Sequence, residues 1–196
     1  MLGLPSHTEK NIQIPKTKVF SMFGFKTAQK EAFNADVGLI HLVHVIGRDS
    51  FAEGEQIKSI AVMQIALKRK DYNPQNISIL AKLIKQNIIF ALIYGDSVQL
   101  AVYCTRLLTA DWQPVALCNL HLEGLNLDRV WDNCVAQIGN ITLNRVQNVA
   151  EQIAEDDAQR KLLRQIEVLE RKVRSERQPR RKLELFEELK KLKSSL

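Results

Sequence analysis

Ile57-Lys-Ser-Ile60-Ala-Val-Met-Gln64-Ile-Ala-Leu-Lys68 holds the key to the architecture. Successive side chains of a strand point to opposite faces. One face of this stretch then carries Ala61, Met63, Ile65 and Leu67, the other Ile60, Val62, Gln64 and Ala66. Both faces are mostly apolar, so the strand is expected in the interior of a sheet that is covered on both sides.

Elements of matching length lie on either side. Leu39 to Ile46, LIHLVHVI, is an apolar run of strand length. Before it, Thr27 is the expected N-cap of a short helix bearing Ala28, Ala32 and Phe33, with Gly38 as its stop. After the central strand, Asn73-Pro74 reads as a helix start, cap followed by proline at the first helical position. Ile77, Leu80, Ala81 and Ile84 then fall on one helical face. Ile88 to Tyr94 is a third strand, Gly95-Asp96 a hairpin turn, and Val98 to Thr105 an alternating fourth strand. Val115 to Leu122 is expected to add a short edge strand. Asn126 caps the clearest helix, in which Leu127, Val130, Trp131, Cys134, Val135 and Ile138 share a face and Gly139 is the stop. Trp131 and Cys134 are therefore read as core. The predicted class is α+β, a mixed sheet of about four to five strands with flanking helices.

Composition changes near Gly139. All eight glycines, both tryptophans, all three tyrosines and all three cysteines lie at or before it. Beyond it come helix formers with one aromatic residue, Phe186, and one proline, Pro179. The chain is therefore divided into an α+β domain, 1–139, and a helical appendage, 140–196. Leu162, Ile166, Leu169 and Val173 step by coiled-coil spacing, as do Leu185, Leu189, Leu192 and Leu196. Pro179 lies between the two seams, and a proline inside a helix costs about 3 kcal/mol. Two helices, roughly 142–177 and 180–196, are expected to form an antiparallel hairpin. The first outruns the second, so Leu143, Val146, Val149 and Ile153 are expected to meet the N-terminal domain or another chain.

At 196 residues, 45% apolar and 26% charged, the chain is long enough for a real core and too apolar for a disordered tail. It contains no run of eighteen apolar residues, so no membrane contact is expected. Cys104, Cys118 and Cys134 are odd in number and lack CxxC spacing, which suits buried thiols in a reducing cytoplasm. The opening residues, Met1 to Pro5, show no basic-then-apolar leader, and a cytoplasmic location is expected.

The net charge of +6 is local. Arg171, Lys172, Arg174, Arg177, Arg180, Arg181 and Lys182 face only Glu176 within twelve residues, seven minus one. A concentrated basic cluster is the footprint of a polyanion partner, such as a DNA or RNA backbone. The competing reading is a solvated turn between helices. A second basic stretch, Lys16 to Lys30, interleaves Lys16, Lys18, Lys26 and Lys30 with Phe20, Phe23 and Phe25. Such a mixture serves single-strand binding by phosphate contact and stacking. The stronger reading is an extended arm pinned to the core by its phenylalanines.

Catalytic patterns are scarce. Gly24 and Gly38 are isolated, no GK[ST] or GxSxG occurs, and the spacing of His41 and His44 on a regular strand puts them on opposite faces. A metal-dependent nuclease needs carboxylates converging on Mg²⁺ beside a strand lysine. Lys68 is available, but the residues before it on that face are Ala66 and Gln64. Asp36, Glu53, Glu55, Asp71 and Asp96 converge only if the tertiary fold brings them together. No catalytic residue, metal ligand or cofactor is assigned.

Three stretches together resemble a known prokaryotic family, domain of unknown function 4391. They are Pro15-Lys-Thr-Lys-Val-Phe-Ser-Met-Phe-Gly-Phe-Lys26 with Ala32-Phe-Asn-Ala-Asp-Val37, then Leu122-Glu-Gly-Leu-Asn-Leu-Asp128, and the leucine-rich C-terminal hairpin. The resemblance implies an α/β part followed by a helical segment. It also implies company with DNA methyltransferases and helicases of restriction-like phage-defence systems. It brings no catalytic residues, and an acid common in the family is replaced here by Gln64. The expected function is a non-catalytic accessory or adaptor subunit of such an assembly, with a helicase or methyltransferase as protein partner. It docks through the hairpin and touches nucleic acid through the basic turn. The alternative is a degenerate or cryptic metal-dependent nuclease.

Overall fold

The computed structural model describes residues 2–84, 86–143, 149–176 and 178–193. The chain divides into two compact units, Met1–Val149 and Ala150–Leu196. In the first, β1 (Glu9–Gln13) precedes α1 (Lys16–Phe23), α2 (Thr27–Asp36), β2 (Val37–Ile46) and β3 (Ile60–Leu67). Then come α3 (Pro74–Leu83), β4 (Asn87–Tyr94), β5 (Ser97–Tyr103), β6 (Leu107–Thr109), β7 (Gln113–Pro114) and α4 (Leu127–Gly139).

The sheet is mixed and runs β1-β2-β3-β4-β5-β6, with β7 paired to β5. Only β3 and β4 are parallel, joined across α3, and the other pairings are antiparallel. The strand between Ile60 and Leu67 is interior, flanked by β2 and β4, with Ile60, Val62 and Ile65 fully buried. On one face Ala61, Met63, Ile65 and Leu67 join Phe90 and Leu92 under α1, α2 and α3, which contribute Val19, Phe33, Ile77 and Leu80. On the other, α4 lies against β5 and β6 and buries Leu127, Val130, Trp131, Cys134, Val135 and Ile138. Cys118 and Cys134 are buried and Cys104 is half-buried, all three as free thiols.

Several local expectations are revised. β1 was not expected, because all five of its side chains are exposed and it has no apolar alternation to detect. The expected edge strand at Val115–Leu122 is a 3₁₀ turn at Val115–Leu117, and the pairing falls on Gln113–Pro114 instead. Pro114 has no N–H to carry a ladder further. The basic stretch from Lys16 is helical to Phe23, not extended, with Pro15 as its N-cap. Lys26, not Thr27, is the N-cap of α2, and its N–H donates to Gln29 Oε1 at 2.9 Å. Gly38 does not stop α2; it lies within β2 at an irregular register between Val37 and Leu39. α4 includes Gly139 and ends on Asn140 in the left-handed region, φ 50°. The glycine serves packing here: a Cβ would meet Ile141 Cδ1 at 2.9 Å and Leu108 Cδ1 at 3.0 Å.

The second unit is built on α5 (Val149–Ser175) and α6 (Pro179–Lys193). Their two seams pack together. Ile166, Leu169 and Leu189 are buried, with Leu162, Val173, Leu185 and Leu192 against them. Three residues separate the helices, so helices that pack this way form a hairpin. Pro179 is the first residue of α6, where its missing N–H has no intrahelical partner to lose. The predicted start at 142 is revised: Thr142 and Leu143 are not helical. Residues 144–148, with Val146, and the seam residue Leu196 lie outside the described residues. At 27 and 15 residues the helices span about 40 and 22 Å. Among the described residues no helix is long and apolar enough to cross a membrane.

Candidate nucleic-acid interface

The hairpin gathers the basic cluster at its turn. Arg171, Lys172 and Arg174 close α5, Arg180, Arg181 and Lys182 open α6, and all six are exposed. Arg177 lies outside the described residues. Two of the six are paired along their own helices. Arg171 meets Glu167 at 3.8 Å and Arg180 meets Glu184 at 3.7 Å, in both cases with wide solvent exposure. Exposed pairs of this kind contribute about 0–1 kcal/mol. Lys193 donates to Glu170 at 2.7 Å, a contact between the two helices that lowers the pKa of the Glu170 carboxyl.

The other basic stretch is divided in its role. Phe20, Phe25 and Phe33 form a three-ring cluster with centroids 5.4, 5.7 and 5.8 Å apart, two of the pairs edge-on. Phe25 and Phe33 are buried and Phe20 and Phe23 pack against them, which fits the reading that pins the phenylalanines to the core. Lys16 is half-buried and donates to Val37 O at 3.0 Å, while Lys68 donates to Asn34 O at 2.6 Å. The two ammonium groups sit at the C-terminal end of α2, where carbonyls lack intrahelical partners. Burial, with the nearby Lys68 charge second, lowers the pKa of Lys16. Lys18 and Lys26 are exposed. Lys68-Arg69-Lys70, three consecutive basic residues after β3, is a further cluster that sequence reasoning missed, because the strand pattern absorbs the first of them. Lys70 lies over the Trp112 ring at 5.4 Å.

Two aspartates anchor backbone. Asp36, 1% exposed, accepts from Asn73 N at 2.8 Å and Asn76 Nδ2 at 2.7 Å, and from Arg69 Nε. Burial alone would raise its pKa, but these donors and the Arg69 charge hold it below the usual value. Asp36 thereby ties the α2–β2 junction to the start of α3. Asp128 opens α4 beside the Asn126 cap. Its carboxylate accepts from Glu55 N at 2.7 Å, Ile57 N at 2.8 Å and Gln56 N at 3.4 Å. These N–H groups, ahead of the nearby Lys58 charge, outweigh burial and lower its pKa. Gly54 is needed there, since a Cβ would lie 2.1 Å from Asp128 Oδ1. Among the described residues no three His, Cys, Asp or Glu side chains gather to hold a metal ion.

The histidine pair departs from expectation. A register shift between Leu42 and His44 inserts an extra residue in β2. His41 faces Gln64 and His44 faces Val62, and those two lie on the same side of β3. The bulge thus puts both histidines on one face.

What the geometry defines is an α+β protein with a mixed sheet, helices on both faces and a charged helical hairpin. Residues 2–196 match the model of the family described as domain of unknown function (DUF4391), and the chain belongs to that family. No curated protein and no solved structure matches it. The stretches that carried the resemblance have a physical role in the fold. Pro15 caps α1, Phe20, Phe25 and Phe33 build the ring cluster, Asp36 anchors α3, and Asn126 and Asp128 fix the start of α4.

Proposed function

We propose that this protein is a non-catalytic accessory subunit of a DNA-processing, restriction-like assembly in the cytoplasm. It docks on a helicase or methyltransferase partner through the hairpin and contacts nucleic-acid backbone through the basic turn. The carrying observation is the exposure of Arg171, Lys172, Arg174, Arg180, Arg181 and Lys182 around one interhelical connection. Long-range attraction to phosphate needs a dense, solvated, single-sign cluster and no base-reading geometry. The non-catalytic part of the reading draws on the signature aspartates, whose carboxylates bind the protein's own backbone. The resemblance to a family accompanying methyltransferases and helicases supports the choice of partner.

The test is fluorescence anisotropy of the full chain with three labelled duplexes of unrelated sequence. All three should bind alike, and Arg174→Ala, Arg180→Ala and Arg181→Ala together should weaken all three alike. Binding that differs strongly among the duplexes, or that survives the triple substitution, overturns the reading.

A further inference from the structure

The second face of the sheet holds a cavity of about 310 Å³, closed on one side by the N-terminal segment. That volume is at the lower end of small-molecule sites, about 300–1,000 Å³. Leu2, Leu4 and Ala91 form apolar walls, and Ser6, Glu9, Asn11, His44 and Gln64 line it with polar groups, of which Glu9, His44 and Gln64 share one face of the sheet. Leu2 is held in the left-handed region at φ 63°, is 3% exposed, and accepts from Leu120 N at 3.0 Å. The wall is therefore fixed to the body of the unit.

The three polar groups share a face for a topological reason. Glu9 of β1 pairs with His44 of β2, and His44 pairs with Val62 of β3. Gln64, two residues along β3, shares the Val62 face. The β2 bulge is what brings His44 onto that side.

His44 is 6% exposed. Its Nδ1 lies 2.9 Å from Thr8 Oγ1, and the Thr8 hydroxyl proton is donated to Pro5 O at 2.7 Å. Nδ1–H is then the donor of that pair, which leaves a lone pair on Nε2 of the neutral ring. Burial lowers the pKa of His44 against the opposing pull of Glu9 and so favours that neutral form. Among the described residues neither Nε2, the Glu9 carboxylate nor the Gln64 amide has a hydrogen-bond partner. Among the described residues no buried side-chain nitrogen or oxygen lacks a partner, so Nε2, like the Glu9 and Gln64 groups, opens onto the cavity, where a ligand can meet it.

We propose that this cavity binds a planar nitrogen heterocycle presenting adjacent N–H donors, the guanine-type edge. Glu9 and His44 Nε2 accept only, so the ligand must donate to both. Gln64 both donates and accepts, so it meets a ring carbonyl beside those donors. The guanine edge, with one carbonyl next to two nitrogen donors, carries that order. Adenine and uracil edges do not. The apolar walls take the ring faces.

The test is NMR titration of the full chain with guanosine, adenosine, cytidine and uridine, read at the His44 ring nitrogens. Guanosine should shift the His44 Nε2 resonance saturably, and the other three should not. Glu9→Gln, with an unchanged melting temperature, should weaken guanosine about tenfold or more, the scale of removing one charge-assisted hydrogen bond. Gln64→Leu should weaken it too without touching the His44–Thr8 bond. A short guanine-containing single strand run in parallel separates the sources. A shift with guanosine alone assigns a free nucleoside, and a shift with both assigns a base within a strand. No shift at His44 with any nucleoside, equal shifts with adenosine, or full binding by Glu9→Gln overturns the proposal.

Discussion

Replacing Asp36 with Asn tests whether the buried carboxylate holds α2, β2 and α3 together. The substitution keeps shape and removes charge. Oδ2 receives both Asn73 N and Asn76 Nδ2, and Oδ1 receives Arg69 Nε. In the variant one oxygen can still accept from Asn73 and Asn76, but the new amide sets a donor against the Arg69 donor. Hydrogen bonds to a charged group contribute about 1.5–3 kcal/mol, against about 0.5–1.5 for neutral ones. Two bonds weakened from the first range to the second lose about 2 kcal/mol in sum. The Arg69 side chain is 56% exposed, so its share is discounted to below about 1 kcal/mol. The expected loss is therefore about 2–3 kcal/mol. Tryptophan fluorescence during urea unfolding is the assay, because Trp112 and Trp131 both lie in the first unit and the hairpin has none. The pKa of Asp36 is lowered from 3.8, so its stabilisation is complete above that pH and is lost as pH falls through the folded-state value. The variant should lose that acid limb. A midpoint shift worth less than about 0.5 kcal/mol, the usual range for a surface change, would show that the carboxylate holds nothing together.

Asp128→Ala should destabilise the first unit by about 1–3 kcal/mol, chiefly because it strands the part-buried N–H of Ile57, while water replaces the acceptor of the exposed Glu55 N–H; slow amide exchange retained at Ile57 would contradict this. Leu169→Ala with Leu189→Ala should cost several kcal/mol of hairpin stability at about 2–5 each, read by circular dichroism at 222 nm as loss of helix. An unchanged signal would mean that the seam does not hold the hairpin. Gly139→Ala should destabilise, despite alanine's better helix propensity, because the added methyl meets Ile141 and Leu108; a gain of stability would contradict the packing role.

The interior of the fold was legible because its signals are local and apolar. The two-faced pattern of Ile60–Leu67, the Asn73-Pro74 start and the Asn126 cap each became the element they announced. The seams of the hairpin met for the same reason. What the sequence concealed depends on tertiary partners. β1 carries no apolar stripe and exists because the exposed edge of β2 pairs with it. The β2 bulge changes which face His44 occupies, and no periodicity reveals an inserted residue before the partner strand is known. Sequence reasoning places Asp36 only among acids that a tertiary fold could gather and gives Asp128 no role, since the N–H groups they bind lie 37 and about 70 residues away in sequence. The signal for Asp128 was its position two residues after a capping asparagine, beside a glycine-containing loop that needs closing. The basic turn is a sequence-level feature, and the structure adds where its side chains lie.

If the basic turn meets phosphate, binding must depend steeply on salt, because each neutralised phosphate releases counterions. Affinity of the full chain for duplex DNA should then fall linearly on a log–log plot against salt concentration. Neutralising about five to seven phosphates gives a slope of about −4 to −6. Changing Arg174, Arg180 and Arg181 to Ala should make that slope shallower by about three, one for each phosphate no longer neutralised. Absence of binding at about 50 mM salt, or a slope unchanged by the triple substitution, would contradict a phosphate-binding turn.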